Sequence, residues 1–261
     1  MGNFEFKKKF GQNFLSDESL LDDIVEKAGV TADDIVIEIG AGKGALTNAL
    51  IKRAKKVISF EIDLELKDYL LNRFAGQNVQ FVFDDVMNWT DEKINELAGE
   101  KFKLVANLPY YVTSPIITRF LQNKNLTSLT VMVQEEVADR IIARPKTKDY
   151  GVLTVICQLY GAPSKVLRVG REKFYPVPNV DSAVVRIDKN EERLIDYAGV
   201  IRLAKQAFSM RRKKLSTNLE NAKFSKLQLE NLFQKRGWGD SVRAEELKIE
   251  DFIGLFDELN R

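Results

Sequence analysis

Ile35-Val36-Ile37-Glu38-Ile39-Gly40-Ala41-Gly42-Lys43-Gly44 is the stretch on which the fold turns. Its first five residues are mostly β-branched and end at a glycine cluster, which predicts a buried strand. A helical pattern over 45–55 follows at once, so the glycines carry the chain from strand to helix. Glycine permits the sharp turn and lets backbone approach a ligand closely. Gly40, Gly42 and Ala45 also satisfy the dinucleotide pattern G-x-G-x-x-G/A. The loop therefore implies a nucleotide-like cofactor at the strand ends; a tight turn without ligand is the plainer alternative.

Outward from this turn, apolar strands alternate with helical patterns. Strands are predicted at 57–60, along Val79, Phe81 and Phe83, at 102–106 and at 129–133, and helices at 64–74 and near 135–144. Ser114 is predicted to cap a helix with Pro115 at its first position. Upstream, Ser16 is the predicted N-cap of a helix carrying Leu20, Leu21, Ile24, Val25 and Ala28, which Gly29 ends. Val152, Leu153, Val155, Ile156 and Leu159 have helical spacing. Strands at 165–169 and 183–187 close the series. Pro176 and Pro178 leave no helix between them, so these two are predicted to pair antiparallel. The pattern is a doubly wound α/β sheet, mostly parallel, with an antiparallel last strand. Beyond about 190 only helical periodicity remains, as in Leu247, Phe252, Leu255, Phe256 and Leu259. Asp188-Lys189-Asn190 marks the expected boundary between a sheet domain, 1–189, and a small helical domain, 190–261.

The chain has 261 residues, 44% apolar and 30% charged, which leaves room for both domains. Forty basic residues against 38 acidic ones give a net charge of only +2, so any nucleic-acid surface must be a local patch. Histidine is absent. That removes Ser-His-Asp and Cys-His catalysis and nearly all zinc chemistry. The single cysteine, Cys157, excludes an intramolecular disulfide and a cysteine zinc site, and no metal site is predicted. No apolar run approaches the ~18 residues of a membrane span, and the N-terminus lacks a signal-peptide core. The expectation is a cytoplasmic protein in a reducing compartment, without membrane contact.

Acids follow the strands. Glu61 closes the second strand, where a carboxylate can accept both ribose hydroxyls of an adenosyl group. Asp85 ends the third, where it can accept from an adenine amino group; strand alternation does not separate it from Asp84. Up to this point a nicotinamide dehydrogenase remains a competing reading. Asn107-Leu108-Pro109-Tyr110, directly after the fourth strand, points elsewhere. It is the N-x-P-Y type of signature found in methyltransferases acting on exocyclic amino groups. The adenine N6 lone pair is delocalised into the ring and is a poor nucleophile. Two acceptors on its hydrogens turn the nitrogen toward a tetrahedral, reactive form. The Asn107 side-chain oxygen supplies one, and the Leu108 carbonyl, held by rigid Pro109, the other. Tyr110 can stack on an extruded base. No general base is needed before attack, so the lack of histidine is no obstacle. Phe174, in the stiff Phe174-Tyr175-Pro176-Val177-Pro178 loop, offers a ring for the other face of the base; taken alone it reads as a core residue.

Phe10-Gly11-Gln12-Asn13-Phe14-Leu15, the 38–44 turn, Asn107-Leu108-Pro109-Tyr110 and the run from Phe174 to Arg186 together resemble the ribosomal RNA adenine N6,N6-dimethyltransferase family, in its bacterial small-subunit branch. The resemblance covers nearly the whole chain, including Arg211-Arg212-Lys213. It implies a Rossmann-like class I methyltransferase sheet, S-adenosylmethionine as cofactor, and dimethylation of two adjacent adenosines in the 3′-terminal hairpin loop of 16S rRNA within an immature small subunit. By position, Asn13, Leu15, Gly40, Glu61, Asp85 and Asn107 match the family's cofactor contacts, and this selects Asp85 over Asp84; Gly42, Ile62 and Val86 complete the expected cofactor-binding set. Tyr110 and Phe174 match its base-stacking aromatics. Ala41, Lys43 and Tyr111 depart from residues common in the family, the first two bearing on cofactor affinity and Tyr111 on the shape of the target pocket.

Basic residues cluster at Lys7-Lys8-Lys9, at 52–56, across Lys165, Arg168, Arg171 and Lys173, and from Arg202 to Lys214. A charge run is usually a solvated face, but Phe208 and Met210 interleave the last cluster, and Arg211, Arg212 and Lys213 are the expected rRNA contacts. Two other readings compete: a 23S rRNA adenine methyltransferase conferring antibiotic resistance, and a non-catalytic small-subunit assembly factor. A monomer is expected.

Overall fold

A computed structural model describes residues 14–15, 17–191 and 194–259. In chain order the strands and helices are β1 (Phe14–Leu15), α1 (Glu18–Lys27), β2 (Ile35–Ile39), α2 (Ala45–Ile51), β3 (Lys56–Phe60), α3 (Lys67–Arg73), β4 (Val79–Val82), α4 (Asp91–Ala98), β5 (Phe102–Asn107), α5 (Thr113–Gln122), β6 (Leu126–Gln134), α6 (Glu135–Ile142), α7 (Val152–Tyr160), β7 (Gly161–Val169), β8 (Phe174–Tyr175), β9 (Ser182–Lys189), α8 (Tyr197–Ala207), α9 (Leu215–Asn221), α10 (Lys226–Arg236) and α11 (Ile249–Leu259). None of the described helices is long and apolar enough to cross a membrane.

Seven strands form one sheet in the order β4-β3-β2-β5-β6-β9-β7. The strand pairs from β4 to β6 are parallel, as in Ile37↔Ile58 and Ile37↔Leu104. β9 lies antiparallel to β6, with Met132↔Val184 in register. The expected antiparallel partner of β9 was β7. The two are neighbours, and β9 is also inserted against β6. Every residue of β2 is buried, which is why this strand reads as an unbroken apolar run rather than an alternation. Leu21, Ile24 and Val25 of α1 and Leu46 and Leu50 of α2 pack with Val36, Val57 and Val105 to form the core on one face.

Local chemistry sets the ends of the elements. Asp17, not the predicted Ser16, caps α1: its carboxylate accepts from the Leu20 amide at 3.1 Å, while Ser16 lies outside the described residues. α2 stops at Ile51 rather than 55, because the Lys55 amide turns to the Asp34 carbonyl at the start of β3. The predicted 64–74 helix is a short 3₁₀ turn, Leu64–Leu66, running into α3. Ser114 is not a cap; Val112 precedes α5, and Ser114 and Pro115 lie inside its first turn, where a missing N–H costs nothing. Two elements lie outside the sequence expectations: α4, although Thr90 caps it and left-handed Gly99 ends it, and the two-stranded β1–β8 ladder that sets Leu15 opposite Phe174.

The chain divides into two compact units. One holds the described residues to Ala138 with Ala162–Lys189; the other holds Asp139–Gly161 with the residues from Asn190 onward. The sequence reading assigned 139–161 to the sheet domain. α7, however, packs against α8 and α11, with Tyr160 stacked on Tyr197 at 4.7 Å. Inside this helical unit Tyr150 is fully buried and donates to the Leu247 carbonyl at 2.7 Å. Cys157, on α7, is also fully buried, and burial pushes its thiol up to about 12.

Candidate active site

A cavity of about 410 Å³ opens at the carboxyl ends of β2, β3 and β5, in the size range of small-molecule sites. Open parallel sheets bind ligands at this edge. Its first wall is the glycine turn. Gly40, Gly42 and Gly44 have φ of +83°, +54° and +77°, conformations that side chains strain. A Cβ on Gly44 would also lie 2.4 Å from the Phe74 ring, so the turn closes onto α3 only with glycine there. The Gly40 amide donates to the Phe60 carbonyl, tying the turn to β3.

The second wall is acidic. Glu61 is 2% exposed; its Oε2 accepts from the Gly42 amide at 2.7 Å and its Oε1 from the Asp63 amide at 2.8 Å. Burial raises its pKa above the ordinary glutamate value, against the lowering effect of these two donors. Each oxygen keeps a lone pair for a further donor. Asp84 and Asp85 both line the cavity. Asp84 is engaged by the Trp89 indole N–H at 3.0 Å and the Asp85 amide at 2.7 Å, which hold its pKa low. Asp85 accepts the Met87 amide on Oδ1 alone; its Oδ2 has no hydrogen-bond partner among the described residues. Ile62 and Val86 supply apolar surface on the same walls.

The third wall is the turn after β5. Asn107 ends that strand beside Met132 of β6, and Leu108 follows with 2% exposure. The Pro109 carbonyl accepts the Val112 amide and the Thr113 hydroxyl, both at 3.2 Å, which fixes the turn. Tyr110 shares a 3.1 Å hydrogen bond with the buried Ser182 hydroxyl at the start of β9. Phe174, 4% exposed, faces the same space from β8, with Leu15 beside it on β1.

One cavity thus gathers Leu15, Gly40, Gly42, Glu61, Ile62, Asp85, Val86, Asn107, Leu108, Pro109, Tyr110 and Phe174. Asn13 lies outside the described residues, as does Lys7-Lys8-Lys9. Two supporting residues were missed. Ser182 was quoted only as part of a motif. Glu38 is fully buried below the glycine turn, its Oε2 accepting from Thr47 and Ser59 hydroxyls at 2.6 Å each. Burial pushes its carboxyl up to about 7. An acidic residue inside an apolar strand was the available signal.

Arg211, Arg212 and Lys213 lie in the helical unit, in the turn after α8, all exposed. Arg211 is tied to the Lys148 carbonyl and, at 3.5 Å, to Glu245. The side chains of Arg212 and Lys213 have no partner among the described residues.

The profile of the family "Ribosomal RNA adenine dimethylase" matches residues 3–261. The chain is 44% identical to "Ribosomal RNA small subunit methyltransferase A" of Clostridium acetobutylicum over 99% of its own length and 95% of the relative's. It is 42% identical to the protein of that name in Bacillus licheniformis, over 98% and 92%. Among solved structures it resembles a dimethyladenosine transferase from Plasmodium falciparum, with a TM-score of 0.79 and 28% identity over 95% of this chain and 97% of that one. The 23S rRNA methyltransferase ErmE gives 0.73 and 29% over 95% and 100%. These likenesses join the sheet topology and the strand-end cavity: the chain belongs to the ribosomal RNA adenine dimethylase family, with S-adenosylmethionine as methyl donor and rRNA as substrate.

Proposed function

We propose that this protein methylates N6 of two adjacent adenosines in the 3′-terminal hairpin loop of 16S rRNA, within an immature small subunit, as a cytoplasmic monomer. The observation that carries the reading is the convergence of Glu61, Asp85, Asn107, Leu108 and Tyr110, from three successive strand ends, on one cavity. The full-length likeness to small-subunit methyltransferases, at 42–44% identity, favours it over the 23S reading, which has 29%.

The residues suit an adenosyl cofactor. The Glu61 carboxylate, fixed by two amides, accepts the ribose hydroxyls. Asp85 Oδ2 accepts an adenine amino hydrogen, and Ile62 and Val86 flank the ring. The glycine turn and Leu15 complete the pocket, with Asn13 and Asn107 as further contacts. When bound, S-adenosylmethionine supplies an electrophilic methyl group. The protein's part is to present the nucleophile. Asn107 Oδ1 and the Leu108 carbonyl accept the two N6 hydrogens and direct the nitrogen lone pair at that methyl. Tyr110, steadied by Ser182, stacks on one face of the base and Phe174 bounds the other. The first methyl leaves one N6 hydrogen for two acceptors and the second leaves none. Each buried acceptor left unpaired costs roughly 1–3 kcal/mol, so the dimethylated base is held worst and released. The sheet unit is the methyl-transfer domain, and the helical unit grips rRNA.

The test is transfer from labelled S-adenosylmethionine to small subunits lacking the dimethyladenosines, beside free 23S rRNA. Two methyls on each of two adjacent 16S adenosines are expected. Labelling of 23S rRNA alone would move the protein to the resistance enzymes, and tight subunit binding without transfer would make it an assembly factor.

A further inference from the structure

Three segments of the helical unit, far apart in sequence, meet at one place. The loop from Arg144 to Asp149 joins α6 to α7. Its Lys146 amide donates to the Glu245 carbonyl at 2.7 Å, and its Lys148 carbonyl accepts from Arg211. Glu245 in turn binds the Arg211 guanidinium. Arg211 therefore clamps the loop to the turn that carries Arg212 and Lys213.

The loop is built to be rigid. Thr147 folds back on the Arg144 carbonyl through its hydroxyl at 2.7 Å. Tyr150, at its far end, is buried and hydrogen-bonded to Leu247. Lys146 itself sits at φ +70°, a conformation uncommon outside glycine and costly for a lysine. Yet the side chains of Arg144, Lys146 and Lys148 point into solvent with no partner among the described residues. Three cations are thus presented by an ordered loop beside Arg212 and Lys213. In a chain whose net charge is only +2, such a concentration of unneutralised positive charge calls for a polyanion.

We propose that the 144–148 loop is an rRNA phosphate-binding arm, continuous with Arg212 and Lys213, and that Arg211 is its positioning residue rather than a phosphate contact. The inference rests on the reading of this protein as an rRNA methyltransferase and extends its RNA surface to a segment outside the predicted basic clusters. A pre-ordered loop loses little freedom on binding, so its charges act at nearly full strength.

The experiment is binding of the full-length protein to small subunits lacking the dimethyladenosines, across a range of salt concentrations. K146Q/K148Q is compared with the parent and with K226Q/K235Q, which removes two lysine charges on α10. Loss of two phosphate contacts lowers the slope of log affinity against log salt by about 1.4–1.8. It also weakens binding about tenfold at moderate salt, with S-adenosylmethionine affinity unchanged and the α10 variant behaving as the parent. Equal affinity and slope for K146Q/K148Q and parent would overturn the arm. Equal weakening by the α10 variant would reduce the arm to general charge. Failure of the parent itself to bind small subunits would instead overturn the functional reading.

Discussion

Around the cavity, Glu61 is 2% exposed and both its oxygens are fixed by backbone amides, whereas in the helical unit the side chains of Lys146, Lys148, Arg212 and Lys213 stand in water with no partner among the described residues. On the proposed function the two regions face different ligands. A cofactor and a single base are small, so each contact must be placed by strand ends that do not move, and each is worth several kcal/mol once water is excluded. A ribosomal RNA surface is large and uniformly charged. Long solvated side chains meet it wherever phosphates fall, each contributes little, and salt weakens them all.

The contrast is broken most directly by Asn107→Ala. Removing one preorganised acceptor should raise the barrier to methyl transfer by roughly 2–4 kcal/mol. Affinity for the small subunit should stay within twofold. A single-turnover assay beside a binding titration reads both, and a near-normal rate would remove Asn107 from the chemistry.

Glu38→Gln probes the floor of the cavity. Burial lifts the Glu38 carboxyl from 4.5 to about 7, so the folded state favours its neutral form. The stability this form contributes is complete below pH 4.5, falls between 4.5 and 7, and is absent above. The separation corresponds to about 3 kcal/mol. The substitution should therefore stabilise the protein at pH 8 by up to that amount and give no gain below pH 4.5. Urea unfolding at the two pH values measures it; equal gains at both would mean the carboxyl is not titrating there.

Smaller effects are expected at the RNA surface. R212Q/K213Q should weaken subunit binding about tenfold at moderate salt and flatten its salt dependence. The rate on bound substrate should be unchanged. A fall in that rate would show that the basic turn does more than bind.

The smallest effect concerns Tyr110 and Ser182. Tyr110→Phe and Ser182→Ala should each cost about 1 kcal/mol in kcat/KM, and the double variant no more than either, because both remove the same hydrogen bond. Additive losses would separate the two residues.

The same division decided what local sequence could reveal. β2 was read with its true ends, and the glycine turn, Glu61 and the Asn107 turn were located because each is a short continuous signal at a strand end. Errors came where distant residues decide. α2 ends early because Asp34 captures the Lys55 amide, and Leu15 pairs with Phe174 across the β1–β8 ladder. Residues 139–161 were assigned to the sheet domain because two strands follow them, but α7 packs against α8 and α11. The cationic loop was invisible for the same reason. Arg144, Lys146 and Lys148 are three ordinary solvated charges until Arg211 and Glu245, each some 60 to 100 positions away, are folded onto them.

Cys157 offers a practical handle. It is the only cysteine in the chain, and with its thiol at about 12 it holds a negligible share of thiolate at neutral pH. Buried and held as the thiol, Cys157 should leave the unaltered protein unreactive toward thiol-directed dyes. A fluorophore placed through Lys148→Cys would be the sole label on the molecule, and its signal would report docking of the loop without first preparing a cysteine-free background.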